Sequence, residues 1–112
     1  MVNSFAQGDI IYIDLDPQAG HEQMGRRPAV VISNNIYNNL SSLLMLCPIT
    51  NTNKNHPFHV TLDKRTKTTG VVLCDQAKML DVSARNASFA ETIPSDILEE
   101  IVDIVYSFIE II

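Results

Sequence analysis

Apolar residues gather in short runs, each closed by turn-forming residues. Residues 8–15 (GDIIYIDL) are rich in β-branched and aromatic side chains and alternate in part. They stop at Asp16-Pro17, where proline cannot continue a hydrogen-bonded ladder, and so predict a first strand. Residues 17–25 (PQAGHEQMG) hold two Gly, one Pro and no apolar period, which predicts a mobile loop. Strand character returns at residues 26–33 (RRPAVVIS). An Asn-rich stretch, 34–39, then predicts a turn or a short 3₁₀ piece. Further strand candidates are residues 43–49, 58–62, 70–73 and 77–82. Five or six short strands in about 80 residues predict a mainly β fold built on a small barrel.

After residue 94 the period changes. Ile97, Ile101, Val105, Phe108 and Ile112 repeat at helical spacing, and Leu98, Val102 and Ile109 widen the stripe. Pro94 precedes this segment, Ser95 is placed to cap it, and Asp96, Glu99 and Glu100 put negative charge where a helix macrodipole favours it. A helix over about 95–111 is expected to pack on the barrel. There is no internal repeat, low-complexity segment or interdomain linker, so residues 1–112 are expected to form one domain. A core of this size leaves modest stability, to which a homodimer would add.

The chain is 46% hydrophobic and 19% charged, a globular composition. Its longest apolar stretches, such as 43–49 and 104–109, are far short of the roughly 20 residues a membrane-spanning helix needs. The start, Met1-Val2-Asn3-Ser4-Phe5, lacks the basic and apolar regions of a secretory signal, which places the protein in the cytoplasm. Cys47 and Cys74 sit in strand-like apolar runs without further Cys or His at metal-ligand spacing. They read as small buried hydrophobes, and no structural zinc or other cofactor is expected. The net charge of −5 argues at first against a nucleic-acid partner. From Ser95 onward, however, Asp96, Glu99, Glu100, Asp103 and Glu110 stand without any Lys or Arg and carry all five of those charges. Residues 1–94 therefore balance eight basic against eight acidic side chains, with basic clusters at Arg26/Arg27 and Lys64/Arg65/Lys67.

The most informative stretch is Gly20-His21-Glu22-Gln23-Met24-Gly25-Arg26-Arg27-Pro28, a polar loop running into two arginines that open an apolar strand. A guanidinium held there by rigid backbone suits a phosphate, because its planar fork binds phosphate oxygens in pairs and stays charged. The same residues also read as a solvated charge pair at a strand start, matched by Glu22. Neighbouring strand residues point to opposite faces, so one of the two arginines is expected to face the phosphate.

These segments together resemble the MazF/PemK family of toxins. GDIIYIDLDP, GHEQMGRRPAVVIS, CPITN, PFHVTL and GVVLCDQAKMLD occur in the family order over nearly the whole chain, and G-x-E-Q-x-G-x-R-P with P-I-T and D-Q-x-K is a specific combination. The resemblance implies an SH3-like barrel of the MazF/CcdB type with a C-terminal helix. It also implies a dimer that cuts single-stranded RNA without metal or ribosome, and a cognate antitoxin that restrains it and alone mediates any contact with DNA. It assigns the catalytic pair to Arg27 and Thr50, and Glu22 matches a recurrent position that could orient the arginine or take a proton. The implied reaction is attack of the ribose 2′-oxygen on the adjacent phosphorus, leaving a 2′,3′-cyclic phosphate and a 5′-hydroxyl. Guanidinium seldom yields its proton, so electrostatic stabilisation is the role most readily assigned to Arg27.

RNA contacts are expected from Arg26, His21, Gln23, Asn51, Gln76 and Lys78. Gln76 can read a base edge and Lys78 can pair with phosphate, or both can close a hydrogen-bonded strand end. His21 reads equally as a bystander, and His56 and His59, flanking Pro57-Phe58, read as solvent-facing turn residues. RNA sequence preference is expected to lie in the loops at 17–25 and 51–57. Two other classes compete: a non-enzymatic toxin on the same barrel that binds a topoisomerase, and an SH3-like interaction module. The Arg27-Pro28 and Thr50 pair disfavours the first. The 6% aromatic content with no Trp disfavours the second, which would display an aromatic groove.

Overall fold

A computed structural model of the chain describes residues 4–15, 20, 24–52 and 56–112. Within them the elements run β1 (Asp9–Asp14), β2 (Arg26–Val31), α1 (Asn35–Leu40), β3 (Leu43–Thr50), β4 (His59–Thr61), β5 (Val71–Leu73), a 3₁₀ turn at Cys74–Gln76, β6 (Lys78–Asp81), a second 3₁₀ turn at Val82–Ala84, β7 (Ser88–Thr92) and α2 (Ser95–Ser107). The strands are antiparallel in the order β4-β5-β3-β2-β1-β7, with β6 also paired to β3. β3 is the axis of this arrangement. Leu46 pairs with Val31 of β2 on one edge and Lys78 of β6 on the other, and Ile49 and Thr50 pair with β5.

The central strands read as nearly continuous apolar runs because both of their faces are covered. On one face Ile10, Val30, Ile32, Cys47, Ile49 and Val72 pack with Ile97 and Ile101 of α2. On the other, Ile11, Ile13, Ala29, Val31, Leu44 and Leu46 pack with Leu15 and Val82. This two-sided burial is why residues 8–15 alternate only in part. The cysteines lie buried in the first cluster, as expected of small hydrophobes. Burial pushes both thiols up, that of Cys74 to about 12.

The sheet is an open path whose two ends are joined by side chains. Glu91 of β7 accepts hydrogen bonds from the Lys67 amide (3.1 Å), the Thr68 amide (2.7 Å) and the Thr68 hydroxyl (2.7 Å), all from the β4–β5 connection. Beside this seam, Arg65 makes paired bonds to Asp63 and to Asp96 at the start of α2. The barrel-like fold is thus held where ladder hydrogen bonds end.

Three local expectations are corrected. The Asn-rich segment is an α-helix rather than a turn or 3₁₀ piece, because the Asn34 side chain accepts the Tyr37 amide (2.9 Å) as an N-cap and buried Asn38 bonds Ser33. Ser95 does not cap α2: Pro94 holds that position, without a side-chain bond, and Ser95 is the first helical residue. The helix ends at Ser107, short of 111. A seventh strand, Ser88–Thr92, escaped the periodicity because Ser88, Phe89 and Ala90 are all exposed. Among the described residues no helix is long and apolar enough to cross a membrane.

Two predictions follow from these contacts. Desolvation alone would raise the Glu91 carboxyl, but its bonds from Thr68 and Lys67 outweigh this and hold it below its ordinary range. Its contribution to stability is therefore complete above the ordinary carboxylate pKa and is lost as pH falls through the depressed folded value. Glu91→Ala is expected to cost about 1–2 kcal/mol near neutral pH, and Glu91→Gln to flatten the acid limb of stability, in urea titrations run at several pH values. Gly70 has φ +122°, and a Cβ there would lie 2.9 Å from the Thr50 carbonyl carbon and against its oxygen. Gly70→Ala is expected to cost about 2–3 kcal/mol in the same assay.

Candidate active site

The register of β2 and β3 pairs Ala29 with Pro48, Val30 with Cys47 and Val31 with Leu46. Counted two residues on toward the strand ends, it sets Arg27 across from Thr50. Opposite residues of an antiparallel pair share a face. Arg27 thus follows Ala29 and Val31, and Thr50 follows Leu46 and Pro48, at the rim of the second core cluster.

Each side chain is held differently. Arg27 is exposed, and its Nε donates to the Met24 carbonyl (3.1 Å), which orients the guanidinium; among the described residues its two Nη groups have no partner. Thr50 is buried, with 8% of its surface exposed, and its hydroxyl oxygen accepts the Thr52 amide (3.2 Å) while its own proton stays available to donate. The next residue, Asn51, is exposed and accepts a hydrogen bond from the Thr69 hydroxyl (3.0 Å). Gly70 lies directly against Thr50 and Asn51. The Thr69–Gly70 turn therefore braces the end of β3. Its role was missed from sequence, although an isolated Gly opening a strand signals close backbone approach.

Alternation separates the two arginines as expected. Arg26 is committed to the protein: Nη1 donates to the Asn86 carbonyl (2.6 Å), Nη2 to the Ser88 hydroxyl (3.0 Å), and Asp14 stands 3.5 Å away. Asn86 supports this with a left-handed φ of 55°, a conformation Asn tolerates better than most residues. The second basic cluster is also neutralised in part. Hydrogen bonds from Arg65 hold Asp63 down at about 2 and lower Asp96, while both carboxylates raise Arg65. Arg27 is thus the arginine of the two pairs that presents its Nη groups outward.

The other expected site residues divide. Gln76 sits in the first 3₁₀ turn and Lys78 begins β6 opposite Leu46, four residues along β3 from Thr50, or roughly 13 Å of strand. Both are half-buried and bonded, so they flank the Arg27–Thr50 end rather than join it. His21, Glu22 and Gln23, like most of the predicted loop at 17–25, lie outside the described residues. His59, expected at the surface, is nearly buried, with its side chain 10% exposed.

Known proteins share both this sequence and this shape. The chain is 40% identical over 92 residues to the endoribonuclease toxin MazF of Escherichia coli K12, covering 82% of each. Its fold superimposes on MazF from Deinococcus radiodurans with a TM-score of 0.87 and 40% identity, over 92% of this chain and 94% of that one. A Deinococcus radiodurans MazE–MazF structure matches with a TM-score of 0.81 and 39% identity, over 96% of both chains. The family model described as PemK-like, MazF-like toxin of type II toxin–antitoxin systems matches residues 6–109. With the register, the braced strand end and these matches in agreement, the chain belongs to the PemK-like, MazF-like toxin family of type II toxin–antitoxin systems.

Proposed function

We infer that this chain is the toxin of a type II pair and an endoribonuclease that cuts single-stranded RNA at short sequences without a metal. The feature that carries the reading is the placement of Arg27 and Thr50 at the ends of β2 and β3, where the Ala29–Pro48 register, extended by two residues, sets them opposite one another. One is a permanent cation with two outward Nη groups, and the other is a buried hydroxyl with a proton to donate. The MazF and PemK relatives named as endoribonucleases support the activity.

The ribose 2′-oxygen loses its proton and attacks the adjacent phosphorus, the bond to the 5′-oxygen of the next nucleotide breaks, that oxygen takes a proton from solvent water, and a 2′,3′-cyclic phosphate and a 5′-hydroxyl remain. Negative charge grows on the non-bridging oxygens as the pentacoordinate state forms. Arg27 and the Thr50 hydroxyl meet that charge with donors already oriented by the Met24 carbonyl and the Thr52 amide. Because Arg27 stays protonated, Glu22 is the proposed proton acceptor, the carboxylate five residues before it in the polar loop. DNA lacks the attacking oxygen and escapes. Asn51 serves as an RNA contact beside the cleaved bond, with Gln23 and His21 from the loop, and Gln76 and Lys78 contact nucleotides farther along the strand, while Arg26 shapes the rim through its ties to Asp14, Asn86 and Ser88.

The toxin works in the cytoplasm as a homodimer, and its antitoxin places acidic and apolar groups over the Arg27–Thr50 end, where RNA would lie. The MazE–MazF structures at 36–39% identity support such a partner. The topoisomerase-binding alternative is not favoured, since binding alone gives no reason to align a cation with a buried hydroxyl.

The test is incubation of the purified protein with a long unstructured RNA in EDTA, with mapping of the new ends. Cuts at one short motif, bearing cyclic phosphate and 5′-hydroxyl ends, are expected, and an all-deoxy copy should remain whole. Arg27→Ala should lower the cleavage rate by about 10²–10³ with the fold intact by circular dichroism. Thr50→Val should lower kcat by about a hundredfold while RNA affinity stays within about threefold. Uncut RNA at high protein concentration, or an Arg27→Ala protein as active as the parent, would overturn the assignment.

A further inference from the structure

At the far end of β5 from Thr50, three side chains that can ligate a metal converge. Val71 of β5 pairs with Thr50, whereas Leu73, two residues on, pairs with His59 of β4, and Asp75 follows in the 3₁₀ turn. One ligand atom from each of His56, His59 and Asp75 lies within 4.8 Å of the other two. His59 is the anchor: its side chain is nine-tenths buried, its Nδ1 has no hydrogen-bond partner among the described residues, and its Nε2 stands 3.6 Å from Asp75 Oδ1.

The imidazole is placed for ligation through Nε2, the nitrogen on the Asp75 side of the ring. A separation of 3.6 Å is long for a hydrogen bond. It is close to the roughly 3.4 Å that separates two ligands of a tetrahedral ion with bonds of about 2.0–2.1 Å. His56 is exposed, and its Nδ1 accepts the Phe58 amide (3.2 Å), which fixes the ring and leaves Nε2 as its ligating atom. The two histidine rings lie 4.9 Å apart between centroids, and Phe58, packed edge-on against Phe108 of the C-terminal segment, holds the turn between them.

We propose that His56, His59 and Asp75 form a binding site for one divalent transition-metal ion of the zinc class, with water as the fourth ligand. Two imidazoles and one carboxylate suit zinc and disfavour magnesium and calcium, which prefer oxygen donors. The ion ties the connection after β3, which contains Asn51, to the 3₁₀ turn containing Gln76. It is a clamp on the shape of the RNA-binding rim and takes no part in the cleavage step proposed above. The site rests on its own geometry, so its failure would leave the nuclease assignment standing.

The test is calorimetric titration of untagged, EDTA-treated, dialysed full-length protein with zinc chloride, alongside His56→Gln and Asp75→Asn. Both substitutions are at exposed positions, and circular dichroism verifies their folding. One zinc per chain is expected, with a rise in Tm on saturation and no comparable binding of magnesium. Each variant should weaken zinc by more than about tenfold, since losing even an outer partner of a metal ligand costs that much. Cobalt should give the visible absorption of a tetrahedral ion. Absence of zinc binding by the parent, or equal binding by the parent and both variants, would overturn the proposal.

Discussion

The register between β2 and β3 is the constraint on which the rest of this protein depends. Because strand side chains alternate with a period of two, a slip of one residue would turn Ala29 and Val31 out of one core and Val30 out of the other. With both faces buried, the cost of such a slip lies in misfitted packing, since each side chain would enter the core of the opposite face. The same register carries Arg27 and Thr50 to the strand ends opposite one another. The core thus aligns the candidate catalytic pair without either residue contributing much to the packing.

Beyond the strand ends, precision comes from short polar contacts. The Met24 carbonyl orients Arg27, the Thr52 amide fixes the Thr50 hydroxyl, and Gly70 lets β5 come against the Thr50 carbonyl. Each acts where ladder hydrogen bonds have stopped. Glu91 does the same at the opposite edge, where one carboxylate satisfies three donors of the β4–β5 connection and joins the ends of an open sheet.

The charge pattern explains how an acidic chain can serve an anionic substrate. Its net charge is −5, yet among the described residues several acids are paired with cations: Asp14 stands by Arg26, and Asp63 and Asp96 share Arg65. This pairing also takes up part of the charge of both basic clusters, through Arg26 and Arg65. What remains at the Arg27–Thr50 end is a local cation with oriented donors.

The amino-acid sequence by itself determined the strand-rich architecture and the amphipathic C-terminal helix, because these rest on local periodicity, and a motif with a fixed order of residues nominated Arg27 and Thr50 as the candidate pair. It did not reveal β7, whose Ser88-Phe89-Ala90 run is exposed and carries no apolar alternation. Nor did it reveal that Asn34 would start a helix or that Pro94 would displace Ser95 from the cap, since the choice depends on how the chain enters each element. Only the tertiary structure decided which arginine of the Arg26–Arg27 pair is tied to a distant part of the chain. That depends on Asp14, Asn86 and Ser88 reaching Arg26, two of them some 60 residues away in the chain. It likewise buried His59 and brought it to Asp75, because β4 pairs with β5 across a connection whose geometry no short-range pattern records. Local preference is written in neighbouring residues, whereas the partners of a charge or a ring are chosen by packing between distant ones.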